Sequence, residues 1–354
     1  MRIVSPFLKR VLYPVLWGAG VFPRAAASGL AVVTYHGVLP QGYEPIDAAL
    51  DGNLVSAETL RRQLRLLKAH YSVLSPDDVL SWREGRAELP PRAVLLTCDD
   101  GLLNCLTDML PVLKQEEVRC LFFVTGASTE QTRTTLWYED LLRLLLRGRA
   151  GRFETAFAGL SISDELASRE QRRRVWWKCV KRLSQVDAET RARFVSAARS
   201  QLDSSTWQSV DDENLGTCRR FGLLTYPELR ELAAAGMTIG AHTLSHPMLS
   251  QAPLDLARRE IAESRAKLES KLESRVWAFA YPFGDPESVT PQVKAAAQEA
   301  GYSAAFLNVG GGLGTALPPY AMPRVHVTSE MSSAEFEAHV AGFHMWLQRR
   351  AGRD

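Results

Sequence analysis

Short apolar runs rich in β-branched and aromatic residues recur along the chain, and the clearest of them stop on polar or ionisable side chains. The run 30–35 leads into His36, 95–98 into Asp99 and Asp100, 237–241 into His242 and 276–280 into Tyr281, while a run near 324–327 carries His326. Helical periods lie between them. Leu60, Leu64 and Leu67 repeat behind a Ser56 cap, a helix is expected from about 104 to 116, and a Thr225/Glu228 capping box opens a helix to Ala235. Further helices are expected at about 254–272, 291–300 and 333–348, and further strands at 118–124 and 302–307. Alternating strands and helices read as βαβ units around a parallel sheet, and in such barrels active sites lie at the carboxyl ends of the strands. An open doubly wound sheet obeys the same rule. The chain has no G-x-G-x-x-G after a strand and no G-x-x-x-x-G-K-[ST], so the fold class expected is α/β, as an irregular barrel.

The rhythm lapses between Trp137 and about Gly216, where a largely helical, Arg-rich insertion is expected, with Trp137-Tyr138, Arg172-Arg173-Arg174 and Trp176-Trp177. It could form a lid or a partner surface; the preferred reading is a solvated helix pair anchored to the barrel by its tryptophans. The division expected is an N-terminal amphipathic segment 1–28, a main domain 29–330 with the insertion at about 137–216, and a C-terminal helix within 331–354. The 354 residues suffice for a sizeable core, and the formal charge of +2 gives no argument for a nucleic-acid partner. Five cysteines without a C-x-x-C pair suit reduced thiols in the cytoplasm.

Lys9-Arg10 precede an apolar stretch, 11–22, that Pro14, Gly18 and Gly20 interrupt. It is too short to span a bilayer, and Ala25-Ala26-Ala27 could imitate a cleavage site, which keeps a secreted or periplasmic protein as the less favoured alternative. Arg2, Lys9, Arg10 and Arg24 around Phe7, Leu12, Leu16 and Trp17 suit a segment lying on an anionic membrane surface. An ordinary amphipathic helix packed on the barrel explains them equally well. The location expected is the cytoplasm, peripheral at the inner face of the membrane.

Acids at the end of a buried strand are costly unless paired or bound to a cation. Two histidines four residues apart, His242 and His246, together with Asp100 supply three ligands to a divalent metal and leave a position for water, as in catalytic zinc sites. Asp99 is then free to take a proton from that water. Neighbours on a strand point to opposite faces, so both acids converge only where the strand is ending, and Gly101 permits the turn. The donor set suits zinc first, and cobalt, nickel or iron as well.

These residues carry a family resemblance. Thr97-Cys98-Asp99-Asp100-Gly101 and His242-Thr243-Leu244-Ser245-His246, with Tyr35-His36-Gly37 and 279–284 (Phe-Ala-Tyr-Pro-Phe-Gly), resemble the motifs of the polysaccharide deacetylases of the NodB-homology group, carbohydrate esterase family four. Cys98 stands where the family has Phe. The resemblance covers about 30–327 and implies a distorted (β/α)7 barrel that removes N-acetyl groups from N-acetylated sugars in exopolysaccharide or cell-envelope glycan biosynthesis. It assigns the base to Asp99 and the metal to Asp100, His242 and His246, in agreement with the chemistry. The oxyanion falls to the metal and the backbone N–H of Leu102 or Leu103. The general acid is His36 or His326, with His36 preferred. Tyr281, Pro282 and Arg324 are the expected substrate-side residues, and Arg324 could replace a missing family arginine by orienting Asp99. His339 and His344 are expected at the surface of the last helix. Rival readings are a deacetylase or deformylase of a lipid-linked sugar, a glycosidase, and a silent glycan-binding or assembly protein; adjacent acids and two histidines disfavour the glycosidase.

Overall fold

The structure is a computed structural model that describes residues 6–25, 29–149, 151–157, 160–202, 213–285, 288–314 and 316–350. Its ten described strands are β1 Leu30–Tyr35, β2 Ser72–Leu74, β3 Ala93–Cys98, β4 Leu121–Val124, β5 Arg152–Phe157, β6 Leu160–Glu165, β7 Thr238–Ala241, β8 Ala278–Ala280, β9 Ala304–Gly310 and β10 Met322–His326. Seven run parallel in the order β1, β10, β9, β8, β7, β4, β3, and β3 pairs back to β1 with Leu30 opposite Ala93, so the sheet closes into the expected barrel. β2 pairs with the first half of β3. The closure is uneven: β7 meets β8 at the single pair Ala241–Phe279, and the register of β10 on β9 shifts between Met322 and Arg324.

Every residue of β1 and β3 is buried, because both faces of a parallel strand are covered. Alternate side chains divide two cores. Leu30, Val32, Leu95, Leu121, Phe123, Ala280, Phe306 and Met322 fill one cluster, while Ala31, Val33, Tyr35, Leu96 and Phe122 pack with Leu60, Leu64 and Leu67 of the helix Ala57–His70. The expected helix ends hold well where caps are strong. Ser56 accepts from Thr59 N–H, and Thr225 and Glu228 form their reciprocal box.

Several elements differ from expectation. β2 and the helix Pro76–Arg83 were not foreseen. The insertion is not wholly helical, since β5 and β6 form an antiparallel hairpin in which Phe153 and Ile162 are buried between exposed neighbours. The last helix is two, Ser333–Val340 and Phe343–Arg350, broken at Gly342, whose φ is 77°. Nor are its histidines at the surface. His344 is buried and its Nδ1 lies 2.6 Å from Tyr13 Oη, and the His339 ring stacks on it at 4.0 Å. The N-terminal segment causes this burial: Tyr13 and Phe22 seat on Ala334, Ala338 and Ala341. Arg2, Ala26 and Ala27 lie outside the described residues.

Charges dock the insertion to the barrel. Arg220, fully buried, donates to Asp51, to Glu139 of the helix Trp137–Arg147 and to the Leu50 carbonyl, while Arg173 of the helix Arg169–Leu183 pairs with Asp47. Trp176 Nε1 donates to the Tyr138 carbonyl at 2.7 Å, so a tryptophan anchors the helices to each other as well.

Candidate active site

β3 ends at Cys98, and the turn that follows is made by two residues in the left-handed region, Asp100 with φ 77° and Gly101 with φ 74°. At Gly101 a Cβ would also meet Val124 at 2.9 Å, so the position accepts only glycine without strain. The turn swings the second carboxylate to the side of the first. Thr243, His246 and Phe283 also have positive φ, at 64°, 56° and 63°, and such outliers gather where surrounding structure enforces a functional geometry.

Asp100, His242 and His246, all buried, each direct one ligand atom into a group whose members lie within 4.8 Å of one another. His242 Nε2 is 3.6 Å and His246 Nε2 3.3 Å from Asp100 Oδ1. His242 Nδ1 lies 2.7 Å from the Ala280 carbonyl, which can only accept, so Nδ1 carries the proton and the Nε2 lone pair faces the carboxylate. Burial alone would raise the Asp100 pKa, but the two imidazoles that face it, His242 and His246, outweigh burial and hold the group well below the ordinary carboxylate range. An ionised, buried carboxylate that faces two imidazoles and has no guanidinium or ammonium partner among the described residues fits a divalent cation.

Asp99 is held differently. Arg324 Nη1 and Nη2 grip its two oxygens at 2.7 and 2.5 Å, and the same guanidinium donates to the Thr97 hydroxyl at 3.1 Å and the Leu307 carbonyl at 2.6 Å. Burial opposes ionisation of Asp99, yet Arg324 keeps its pKa below the usual value. Arg324 is fully buried and is positioned to orient Asp99.

His36 and His326 arrive from adjacent strands, with ring centroids 5.0 Å apart, and His36 Nε2 is 4.0 Å from Asp99 Oδ2. Burial lowers both pKa values, His326 to about 3, with the neighbouring His36 adding to that shift. Three further residues of the expected site have the following places. Tyr281 is buried and its hydroxyl donates to the Tyr320 carbonyl at 2.9 Å. Pro282 is buried beside it. Leu103 N–H is engaged, donating to the Gly222 carbonyl at 2.7 Å.

The sequence did not single out the groups that hold His246. Its ring lies 4.8 Å from that of Tyr138 and 5.1 Å from that of Phe283, and Phe283 in turn meets Trp177 at 5.7 Å. Trp137 Nε1 donates to the Ser245 carbonyl at 3.0 Å and the His246 carbonyl at 3.3 Å. Arg191 and Glu260 both bind the Ser245 hydroxyl, Glu260 also accepts from Ser245 N–H at 2.9 Å, and Ser184 Oγ accepts from Met248 N–H at 2.9 Å. Five of these residues, Trp137, Tyr138, Trp177, Ser184 and Arg191, belong to the insertion. The signals in the sequence are the motif 279–284, which contains Phe283, and the Trp137-Tyr138 pair, read as part of an insertion anchored to the barrel by its tryptophans.

A family model described as polysaccharide deacetylase matches residues 86–215 and 223–305. YxkH of Bacillus subtilis (strain 168), whose name places it with the polysaccharide deacetylases, is 26% identical over 117 residues, which is 33% of this chain and 41% of that protein. Two solved structures share the fold. The Streptococcus pyogenes deacetylase PplD in complex with acetate is 17% identical, with TM-score 0.55 over 89% of this chain and 99% of that one. IcaB from Ammonifex degensii is 18% identical, with TM-score 0.54 over 89% and 98%.

Proposed function

The chain belongs to the polysaccharide deacetylase family, and from that premise we propose that it is a metal-dependent hydrolase that removes N-acetyl groups from sugars of the N-acetylglucosamine type. The observation that carries this reading is the pair of differently held carboxylates, one facing two histidines and one clamped by Arg324. Asp100, His242 and His246 would hold a divalent cation, most naturally zinc and otherwise cobalt, nickel or iron, which supplies Lewis acidity and eases ionisation of water.

Asp99, ionised and fixed by Arg324, accepts the proton of the attacking water, whose oxygen adds to the amide carbonyl carbon. Leu102 N–H is the backbone donor for the oxygen that gains charge. Breaking the C–N bond needs a proton on nitrogen, and His36, whose Nε2 is 4.0 Å from Asp99 Oδ2, delivers it in its protonated form. The products are acetate and the sugar amine. Tyr138 and Phe283 wall the His246 side and exclude water there.

A polymer of an exopolysaccharide or envelope glycan is the first substrate class, and a lipid-linked acylated sugar is the second, favoured by the apolar helix face considered below. Acetate release from N-acetylglucosamine oligomers by the metal-stripped protein, titrated with zinc, tests the reading. Release restored at one equivalent supports it. Zinc bound at one equivalent with no release from either oligomers or lipid-linked sugars would leave a silent glycan-binding protein and overturn it.

A further inference from the structure

The helical run 6–18, a π-helical turn Leu8–Leu12 continuing into the α-helix Tyr13–Gly18, is apolar on its outward face as well as its inward one. Its inward side seats Tyr13, Leu8 and Leu16 on the C-terminal helices, with Lys9 bound to Glu335 at 3.0 Å. The outward side carries Phe7, Arg10, Val11, Pro14, Val15, Trp17 and Gly18, all exposed. Phe7 is 62% exposed, Val11 47%, Val15 63% and Trp17 42%, and Arg10 is the one charge among them. A surface helix in water carries polar residues on its outer face, and one that is apolar all round is normally covered. The neighbouring helix Phe343–Arg350 extends the patch: Trp346 is 46% exposed, stacks on Phe343 at 5.4 Å, and lies under Arg350 at 4.5 Å.

The charge of this patch selects what covers it. No acidic residue precedes Glu44, and the helix Phe343–Arg350 has none either, while Lys9, Arg10, Arg24, Arg349 and Arg350 are basic. A second copy meeting this face about a twofold axis would set like charges against each other. An anionic bilayer meets both demands, taking Phe7, Val11, Val15 and the tryptophans into its interfacial layer and the arginines at its headgroups. No helix among the described residues is long and apolar enough to cross a membrane, so the contact is one of surface.

We infer that the helix 6–18, together with Trp346 and Arg350, is a docking surface for an anionic lipid bilayer. This stands apart from the chemistry proposed for the active site. Packing through Tyr13, Phe22 and His344 makes the surface part of the folded body, so the whole enzyme is carried to the membrane.

The test is co-sedimentation of the full chain with sucrose-loaded vesicles of phosphatidylglycerol and phosphatidylcholine, against phosphatidylcholine alone, at low and high salt. The expected result is binding to the anionic vesicles that weakens with salt and falls more than about tenfold in V11E/V15E and severalfold in W346S, with zinc affinity unchanged. The two variants lie on different helices, so a defect confined to one fold element cannot imitate the result. Absence of binding to anionic vesicles, or equal binding by both variants and the parent, overturns the inference. So does a dimer in sedimentation velocity that V11E/V15E dissociates, because the face would then belong to a second copy.

Discussion

Replacing Arg324 by methionine strands the buried carboxylate of Asp99. The guanidinium supplies both oxygens of that group with a donor, at 2.7 and 2.5 Å, and neither partner is exposed to solvent. Two unit charges about 4 Å apart at an effective dielectric near 20 attract by about 4 kcal/mol. Breaking a buried pair by removing one member typically costs about 3–5 kcal/mol, because the other charge stays buried and unpaired. The Arg324→Met variant should therefore lose about 3–5 kcal/mol in urea unfolding of the metal-free protein, followed by far-UV circular dichroism. Asp99→Asn alone should also be costly, since it leaves the guanidinium buried. The double variant tests the cause: with both charges gone, its loss should fall short of the sum of the single losses by about 3 kcal/mol. A double loss equal to that sum would show that the two side chains act independently, and would refute the account of Asp99 as a base held ionised by Arg324.

Trp137→Phe removes the donor to the Ser245 and His246 carbonyls while keeping an aromatic ring, and zinc affinity measured by chelator competition should weaken about 10–100-fold, as it does when outer partners of metal ligands are lost. Gly101→Ala places a Cβ on Val124 at a φ of 74° and should lower stability by about 1–3 kcal/mol, read as a lower urea midpoint. His339 is pushed down to about 3, chiefly by burial and then by His344. Its folded pKa lies below the unfolded value, so the unfolded chain binds more protons, and stability present above pH about 6.5 is lost as pH falls from there towards 3, by at most about 1.4 kcal/mol per pH unit. His339→Gln should flatten that slope in thermal melts; an unchanged slope would place the acid sensitivity elsewhere.

The parts of this molecule that could be read in advance are those in which local pattern and chemistry coincide. Asp99-Asp100-Gly101 and the two histidines could be read because a strand end, a turn glycine and a donor set all lie within a few residues. Closure into a barrel is favoured by alternation without a dinucleotide fingerprint, and the number seven comes from the family resemblance. The support of the site was hidden by distance along the chain: Trp137 is 109 residues from the carbonyl of His246, and Arg324 is 225 from Asp99. The hairpin Arg152–Phe157 and Leu160–Glu165 had a period of two, but the helical segments around it masked so short a signal. His339 and His344 were misjudged because a terminal helix is usually exposed on its outer side, and here the segment bearing Tyr13 and Phe22 covers it.

The insertion separates β4 from β7 in the chain, yet its helices reach the loop that follows β7. A ligand loop held this way cannot be completed while the chain is still being made, until the insertion has folded and the Glu260 helix has emerged behind it. On the proposed metal site, sequence change within the insertion would act on the His246 loop and so on how firmly a cation is held there. Two relatives with identical motifs could accordingly differ in the metal supply they need to be active.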